Sequence, residues 1–264
     1  MNNFKHKKSL GQNFLNNNEV INKIVESVSV DKGDLIIEIG PGEGILTKAL
    51  KKFGANIICY EIDERLKDKL SALSDAKTEI IYSDFLKADV FTDINKIKFN
   101  NLFIIANLPY YITTPIIEKI INLKLPVTEI IIMIQSEVAD RFNAKPKSKA
   151  YGSLTVYLNY YFEIQKLFNV GRENFNPIPN VDSSVISLKR RNENFNLLDE
   201  KMLFKLVKDS FRQKRKTIKN NLKEYDIKAI EKVLINNNLS LSSRAEEISI
   251  DVFVELANEL SSQK

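Results

Sequence analysis

The stretch Ile36–Thr47, IIEIGPGEGILT, decides the fold because it sets three glycines between an apolar run and an amphipathic one. A dinucleotide-binding fingerprint needs G-x-G-x-x-G, and neither Gly40 nor Gly42 is followed by a glycine five positions later. Glycines at such a turn let the backbone pass close to a ligand. The stretch therefore predicts either a tight structural turn or a site for a nucleoside-type ligand that has no pyrophosphate.

Short apolar runs alternate with amphipathic stretches up to about residue 160. The predicted strands are Leu35–Ile39, Asn56–Glu61, Glu79–Ser83, Leu102–Ala106 and Glu129–Ile134, and the predicted helices are Ile45–Phe53, Asp63–Leu73 and Thr114–Leu123. This alternation predicts an α/β fold with a parallel sheet and helices on both faces. Two further strand-like runs, Leu154–Tyr161 and Val181–Leu188, could form an antiparallel hairpin at the sheet edge.

The composition and pattern of the sequence change after Arg191. Residues 192–199 are polar and predict a linker, and every segment from Glu200 onward has a helical pattern, with Leu203 and Val207 four residues apart. We therefore predict a first domain over residues 1–191 and a small all-α domain over residues 192–264.

The composition is that of a soluble globular protein, with 44% hydrophobic and 28% charged residues. No apolar run reaches about 18 residues and the N-terminus lacks a signal-peptide pattern, so we expect no membrane association. The single cysteine, Cys59, permits no internal disulfide and favours a cytoplasmic location. The net charge of +5 allows a polyanionic partner without requiring one.

Acidic residues close two of the predicted strands. Glu61 ends the second strand and Asp84 follows the third, and either could be an ordinary solvated carboxylate. Because the carboxyl ends of parallel strands meet at one edge of an open α/β sheet, we expect both to line a crevice with Gly40. Glu61 is then placed to accept hydrogen bonds from the hydroxyls of a ribose, and Asp84 to accept a hydrogen bond from an adenine amino group.

These features resemble class I S-adenosylmethionine-dependent methyltransferases, and more narrowly the KsgA-type (RsmA) ribosomal RNA adenine dimethyltransferases. The motifs that carry the resemblance are EIGPGEG at 38–44, SDFL at 83–86, NLPY at 107–110, KKSLGQNFL at 7–15, SKAYG at 148–152, FNPIPNVDSSV at 175–185 and FRQKRKTIKNNL at 211–222. They span nearly the whole chain. The resemblance implies a Rossmann-like catalytic domain over 1–191 and an RNA-binding helical domain over 192–264, with no metal site.

The resemblance also assigns roles to individual residues. Gly40 would lie under the methionine part of S-adenosylmethionine, Asn107 at its methyl end, and Asn13 and Leu15 would fold over it as part of a lid. Glu61 and Asp84 keep the ribose and adenine roles. Together, the implied cofactor-binding residues are Asn13, Leu15, Gly40, Glu61, Asp84 and Asn107.

The NLPY motif suits methylation of an adenine amino group, whose nitrogen is a poor nucleophile until acceptors engage its hydrogens. The side-chain oxygen of Asn107 and the carbonyl of Leu108 are the predicted acceptors, and Pro109 fixes the local backbone. Tyr110 is predicted to stack on the purine, and Phe175, by family analogy, to contact the other face. Tyr111 stands where the family usually has a second Asn. The only histidine is His6, so we expect no histidine general base.

Basic residues predict the RNA contacts. Residues 201–223 hold nine Lys or Arg and one acid, although such a run can also be a solvated helix face. The predicted RNA-binding residues are Lys147, Lys149, Arg212, Lys214, Arg215, Lys216 and Lys219.

Three functions agree with this sequence. The first is a monomeric enzyme that dimethylates two adjacent adenosines in a hairpin loop near the 3′ end of 16S rRNA during ribosome biogenesis. The second is an Erm-type 23S rRNA methyltransferase that confers antibiotic resistance, although Leu108 and the FRQKRKT pattern disfavour it. The third is a non-catalytic RNA-binding assembly factor, which the intact NLPY motif disfavours.

Overall fold

The computed structural model describes residues 12–192 and 195–262. The proximity of Cα atoms divides the chain into two compact units. The first comprises the chain up to Ala139 together with Gln165–Lys189, and the second comprises Asp140–Ile164 together with the chain from Arg190 onward. The predicted domain boundary after residue 191 stays a prediction. No helix in the described part of the chain has the length and apolar character to span a membrane.

A seven-stranded mixed sheet has the strand order β4-β3-β2-β5-β6-β9-β7, and β1 and β8 form a separate antiparallel pair. The strands are β1 Phe14–Leu15, β2 Leu35–Ile39, β3 Asn56–Glu61, β4 Thr78–Tyr82, β5 Leu102–Asn107, β6 Val127–Gln135, β7 Phe162–Val170, β8 Phe175–Asn176 and β9 Ser183–Arg190. Strands β2 to β6 pair in parallel, whereas β9 runs antiparallel to β6.

Helices fill the connections between the strands and make up most of the C-terminal region. They are α1 Asn18–Glu26, α2 Ile45–Leu50, α3 Lys67–Ser71, α4 Val90–Asn95, α5 Thr113–Asn122, α6 Ser136–Phe142, α7 Ser153–Tyr161, α8 Glu200–Ser210, α9 Ile218–Asn221, α10 Ile227–Asn236 and α11 Ile250–Ser261. This architecture confirms the predicted fold class, a methyltransferase-type sheet with helices and a helical C-terminal region.

The central strand β2 is buried along its whole length, which explains its continuous apolar character. A buried carboxylate holds the first residues of β2 in place. Asp34 accepts hydrogen bonds from the backbone N–H of Asp31 at 2.8 Å and from both the backbone and side-chain nitrogens of Asn101 at 3.1 and 3.0 Å. Because Asn101 precedes β5, Asp34 aligns the first residues of the two central strands.

Five strand predictions in the first unit are confirmed to within two residues at either end. The predicted strand Leu154–Tyr161 is wrong, because these residues form α7 and the edge strand is β7 instead. Residues of high β propensity form a helix here because tertiary packing outweighs propensity. The helical spacing brings the rings of Tyr157 and Tyr161 to 5.4 Å and buries Val156 in the core of the second unit.

The second unit has its own hydrophobic core. Helices α8, α10 and α11 supply most of it, and the ring of Phe253 is fully buried at its centre. Tyr151 joins this core and donates its hydroxyl hydrogen to the carbonyl of Ile248 at 2.9 Å. The segment Asp140–Ile164 therefore folds with the C-terminal helices, although it lies between two strands of the sheet in the sequence.

Candidate active site

The carboxyl ends of β2, β3 and β5 lie side by side and open onto a cleft in the first unit. Including space open to solvent, the cleft takes up about 530 Å³ and a neighbouring cavity about 400 Å³. Residues Phe14, Gly40, Gly42 and Asn107 line both, so the two form a continuous site. The position at this edge of the sheet matches the predicted crevice.

Two glycines shape the floor of the cleft. Gly40 has φ +72° and no other atom lies within 4 Å of the place where its Cβ would be, so a side chain there would project into the open site. Gly42 has φ +57°, and its Cβ would lie 2.8 Å from the ring of Phe14. Both positions therefore need glycine, one to keep space for a ligand and one for close contact with the opening segment.

Glu61 is buried at the end of β3 and lines the cleft. Its two carboxylate oxygens accept backbone N–H groups, one from Gly42 at 3.1 Å and one from Asp63 at 2.8 Å. Burial raises the pKa of Glu61, and these two hydrogen bonds oppose that shift. Each carboxylate oxygen can accept a further hydrogen bond, so the fixed carboxylate can also take a pair of ligand hydroxyls.

Glu38, within β2, is a second buried acid that lines the neighbouring cavity. The thiol of Cys59 lies 3.6 Å from its carboxylate and donates to it. Burial raises the pKa of Glu38 to about 7, although the thiol hydrogen bond opposes the shift. The sequence contained the signal for this residue, an acid two positions before the first glycine, but its contact with the cavity was not predicted.

Residues 12–17, which we call the opening segment, contact the site at several points. The side-chain amide of Gln12 donates to Asp63 at 2.7 Å, and Arg65 holds the same carboxylate from its other side. Arg65 lowers the pKa of Asp63 to about 2, so this acceptor is ionised at neutral pH. The bond fastens the opening segment to the end of β3, a contact that no sequence pattern predicted. The predicted lid residues before Gln12 lie outside the described residues.

Asn107 ends β5 and lines the cleft. Its side-chain nitrogen donates to the backbone carbonyl of Asn13 at 3.2 Å, which fixes the orientation of the amide. The N–H of Leu108 donates to the carbonyl of Met133 at 3.2 Å, and Pro109 has φ −58° and ψ 131°. The backbone after the strand is therefore held on both sides of the Leu108 carbonyl.

Tyr110 is half-buried at the mouth of the same cleft. Its hydroxyl shares a 2.8 Å hydrogen bond with the hydroxyl of Ser183 at the start of β9. Burial raises the pKa of Tyr110. The neighbouring Tyr111 is 56% exposed, so the two adjacent tyrosines have different environments. Ser183 is thus a supporting residue that the sequence did not single out.

Three other predicted site residues lie at the edge of the site or outside the two cavities. Leu15 lines the neighbouring cavity and pairs with Phe175 between β1 and β8. Phe175 is 3% exposed and belongs to the hydrophobic core, and it lines neither cavity. Asp84 forms a turn after β4, where its carboxylate accepts the N–H of Leu86 at 2.9 Å, and it also lines neither cavity. The base contact of Phe175 and the adenine contact of Asp84 stay predictions.

The predicted RNA-binding residues all lie in the second unit. Two distant parts of the sequence meet there, because the side-chain nitrogen of Lys214 donates to the carbonyl of Lys149 at 2.8 Å. The N–H of Lys147 donates to the carbonyl of Glu246 at 2.7 Å and holds the same loop. Arg212, Lys214, Arg215, Lys216 and Lys219 are exposed in and after the turn that follows α8. The two clusters therefore belong to one basic surface.

Comparisons with known proteins place the chain in a family. Residues 3–262 match the family model for ribosomal RNA adenine dimethylase. The chain belongs to this family. It is 45% identical to the ribosomal RNA small subunit methyltransferase A of Fusobacterium nucleatum subsp. nucleatum, over 96% of this chain and 97% of that protein.

Two solved structures share the fold. A dimethyladenosine transferase from Plasmodium falciparum superposes with a TM-score of 0.79 at 24% identity, over 95% of this chain and 98% of that one. The 23S rRNA methyltransferase ErmE superposes with a TM-score of 0.75 at 25% identity, over 94% of this chain and 100% of that one. Membership confirms the predicted enzyme class, an S-adenosylmethionine-dependent rRNA adenine dimethyltransferase.

The residues of the cleft fit S-adenosylmethionine. The open space above Gly40 gives room for the ligand, and the anchored carboxylate of Glu61 supplies an acceptor for ribose hydroxyls. Buried Glu38 adds an acidic group beside the same space, and a cationic ligand there would favour its ionised form. Within the described residues, no group of three or more metal-binding side chains is arranged to hold an ion.

We predict that Gln12→Ala raises the dissociation rate of S-adenosylhomocysteine about tenfold. The substitution removes a hydrogen bond to an ionised acceptor, and such bonds contribute about 1.5–3 kcal/mol, less at a partly exposed site. Stopped-flow fluorescence measures the rate, and Gln213→Ala, at an exposed glutamine of the second unit, is the matched control. Equal dissociation rates for the two variants would contradict a fastening role for Gln12.

We also predict that Glu38→Gln changes how the free energy of unfolding depends on pH. The raised pKa means that the folded state favours the protonated acid, so this stabilisation is complete below about pH 4.5 and is lost as the pH rises through about 7. At about 1.4 kcal/mol per pKa unit, the variant should gain about 3 kcal/mol relative to the wild type between pH 4.5 and pH 8. Urea unfolding across this range measures the difference, and a difference independent of pH would show that Glu38 titrates normally.

Proposed function

We propose that the protein transfers methyl groups from S-adenosylmethionine to N6 of two adjacent adenosines in a hairpin loop near the 3′ end of 16S rRNA, giving N6,N6-dimethyladenosine during ribosome biogenesis. One observation carries the proposal. Asn107, at the end of β5, donates through its nitrogen to Asn13, which leaves its side-chain oxygen as the acceptor for a substrate amino group. The similarity to small-subunit methyltransferases over nearly the whole chain supports the choice of RNA.

The cofactor, when bound, would supply an electrophilic methyl group on its sulfonium and leave as S-adenosylhomocysteine, and each transfer would release one N6 proton to water. The protein's part is to make the adenine N6 nucleophilic and to aim it. The side-chain oxygen of Asn107 and the carbonyl of Leu108 accept the two N6 hydrogens, which draws the nitrogen lone pair out of conjugation with the ring. Because Met133 and Pro109 restrain the backbone around that carbonyl, little reorganisation is needed when the base arrives.

Tyr110 holds the purine in this arrangement. Its hydroxyl bond to Ser183 fixes the ring at the mouth of the cleft, and stacking on a base contributes about 1–3 kcal/mol. The raised pKa keeps the phenol neutral at physiological pH, so Tyr110 acts by contact rather than by proton transfer. We propose that Phe175 reaches the opposite face of the base after a local rearrangement, since it is buried beside Leu15 in the structure.

The basic surface of the second unit is the proposed contact with the rRNA backbone. Exposed Arg and Lys side chains between Arg212 and Lys219, together with Lys147 and Lys149, can neutralise several phosphates. An amino group paired in a duplex is inaccessible, so the target adenosine must leave its stack, which a hairpin loop makes less costly. We further propose that the enzyme works as a monomer in the cytoplasm, with residues 192–264 as its RNA-binding domain.

We predict that the purified protein labels unmethylated small ribosomal subunits with methyl groups from S-adenosylmethionine and leaves protein-free large-subunit RNA unlabelled. Incorporation of tritiated methyl groups, followed by nucleoside mass spectrometry, measures both the amount and the product. Labelling of the large-subunit RNA alone would overturn the proposal in favour of an Erm-type activity. Absence of labelling on both, with cofactor binding retained, would favour a non-catalytic assembly factor.

We predict that Asn107→Ala lowers kcat by about a thousandfold or more, since each of its two roles, accepting the N6 hydrogen and aligning the base, contributes a substantial factor. The affinity for S-adenosylhomocysteine should change only a few-fold, because Glu61 and the glycine turn remain. Single-turnover methylation and calorimetric titration measure the two quantities separately. A large loss of cofactor affinity with an unchanged rate constant would assign Asn107 to cofactor binding instead.

A further inference from the structure

Two exposed aliphatic side chains lie in the loop between β8 and β9, and the proposed chemistry does not use them. Ile178 is 64% exposed and Val181 is 44% exposed, and we call the pair the apolar tip. Single exposed apolar side chains are normal on protein surfaces, and what distinguishes these two is their place in one short loop beside residues of the site.

The loop is anchored at both ends to residues of the active site. Phe175 precedes it and pairs with Leu15, which lines the neighbouring cavity. Ser183 follows it and holds the hydroxyl of Tyr110 at 2.8 Å. Because Ile178 is only five residues from Ser183, its Cα lies within about 17 Å of the Cα of the residue that holds the Tyr110 hydroxyl.

The tip is also held in place. Pro177 and Pro179 flank Ile178, and prolines restrict both their own φ angles and the conformation of the preceding residue. Pro179 is buried, and Asp182 accepts the N–H of Arg172 through its carboxylate and the N–H of Ser136 through its carbonyl, both at 3.0 Å. An exposed isoleucine on such a loop is presented to solvent with little freedom to lose.

The composition of the loop favours contact with the faces of RNA bases over contact with phosphates. Residues 175–185 contain no Lys or Arg, whereas phosphate contacts depend on these residues. Proteins that unstack nucleotides frequently insert apolar side chains, including isoleucine, between neighbouring bases. An adenosine that enters the cleft leaves the face of the next base exposed to water, and an apolar side chain nearby can cover it.

We propose that Ile178 and Val181 pack against the base left behind when the target adenosine leaves its stack, and so stabilise the extruded state of the RNA. This inference rests on the proposed function, because it requires an adenosine of a structured RNA as the substrate. The tip adds no group to the methyl transfer itself. It lowers the cost of unstacking, which amounts to a few kcal/mol per nucleotide.

The test uses the full-length enzyme and small subunits reconstituted from unmethylated 16S rRNA. The double variant Ile178→Ala/Val181→Ala should lose about 10- to 100-fold in kcat/KM, since each 1.4 kcal/mol of lost stabilisation is a factor of ten. The control is Phe91→Ala, which truncates an apolar side chain of α4 in the first unit that is 51% exposed and has no part in the proposed site. The conservative variant Ile178→Leu should retain nearly wild-type activity.

A second substrate separates base stacking from other contacts. In subunits whose target adenosines are flanked by uridine, which stacks weakly, less stacking is lost on extrusion, and the defect of the tip variant relative to the control should shrink at least several-fold. Cofactor affinity and thermal unfolding, measured for every variant, should stay unchanged.

The possible outcomes are distinct. If the wild-type enzyme methylates the subunits and the tip variant is as active as the control, the role proposed for the apolar tip is overturned. The proposed function then stands. A defect confined to KM that the uridine substrate does not reduce would show that the tip contacts a ribosomal protein, and it also overturns the inference. If the wild-type enzyme labels no subunit, both the proposed function and the role proposed for the apolar tip are overturned.

Discussion

The parallel pairing of β2 with β3 on one side and β5 on the other is the constraint on which the rest of the structure depends. The register sets Ile37 opposite Ile58 in one neighbour and opposite Ile104 in the other, so the three strands end at the same edge. A shift of one residue would turn Glu61 or Asn107 away from the cleft, because successive side chains point to opposite faces. At the opposite end of the strands, buried Asp34 maintains this register because it links the starts of β2 and β5.

Much of this arrangement could be predicted from the sequence, for a physical reason. Strands buried on both faces are continuous apolar runs, and a polar residue at the end of each run marks the edge where ligands bind. Gly40, Glu61 and Asn107 were found in this way. The strand predicted at Leu154–Tyr161 failed because its β-branched and aromatic residues suit either structure. Its helical form depends on packing within the second unit, which adjacent residues do not encode.

The residues that the sequence did not reveal are those whose roles depend on long-range contacts. Gln12 and Asp63 are 51 positions apart, and Tyr110 and Ser183 are 73 positions apart, so neither pair leaves a periodic or local signal. Glu38 has a local signal, its place before the glycines, but its raised pKa follows from its burial in the folded protein, which the hydrogen bond from Cys59 only partly opposes. Local patterns therefore identified several residues that line the cleft, and the folded structure was needed for the residues that support them.

The hydrogen bond from Asn107 to the carbonyl of Asn13 has a consequence for the order of events at the site. The Asn107 amide, the proposed acceptor for the substrate amino group, is oriented by a segment that also lines the cleft. Movement of that segment alters the site for the base and the site for the cofactor at the same time. By thermodynamic linkage, each ligand then changes the affinity of the other by the same factor. A single backbone carbonyl, that of Asn13, therefore gives a route by which occupancy of the cofactor cleft can alter the orientation of the Asn107 amide.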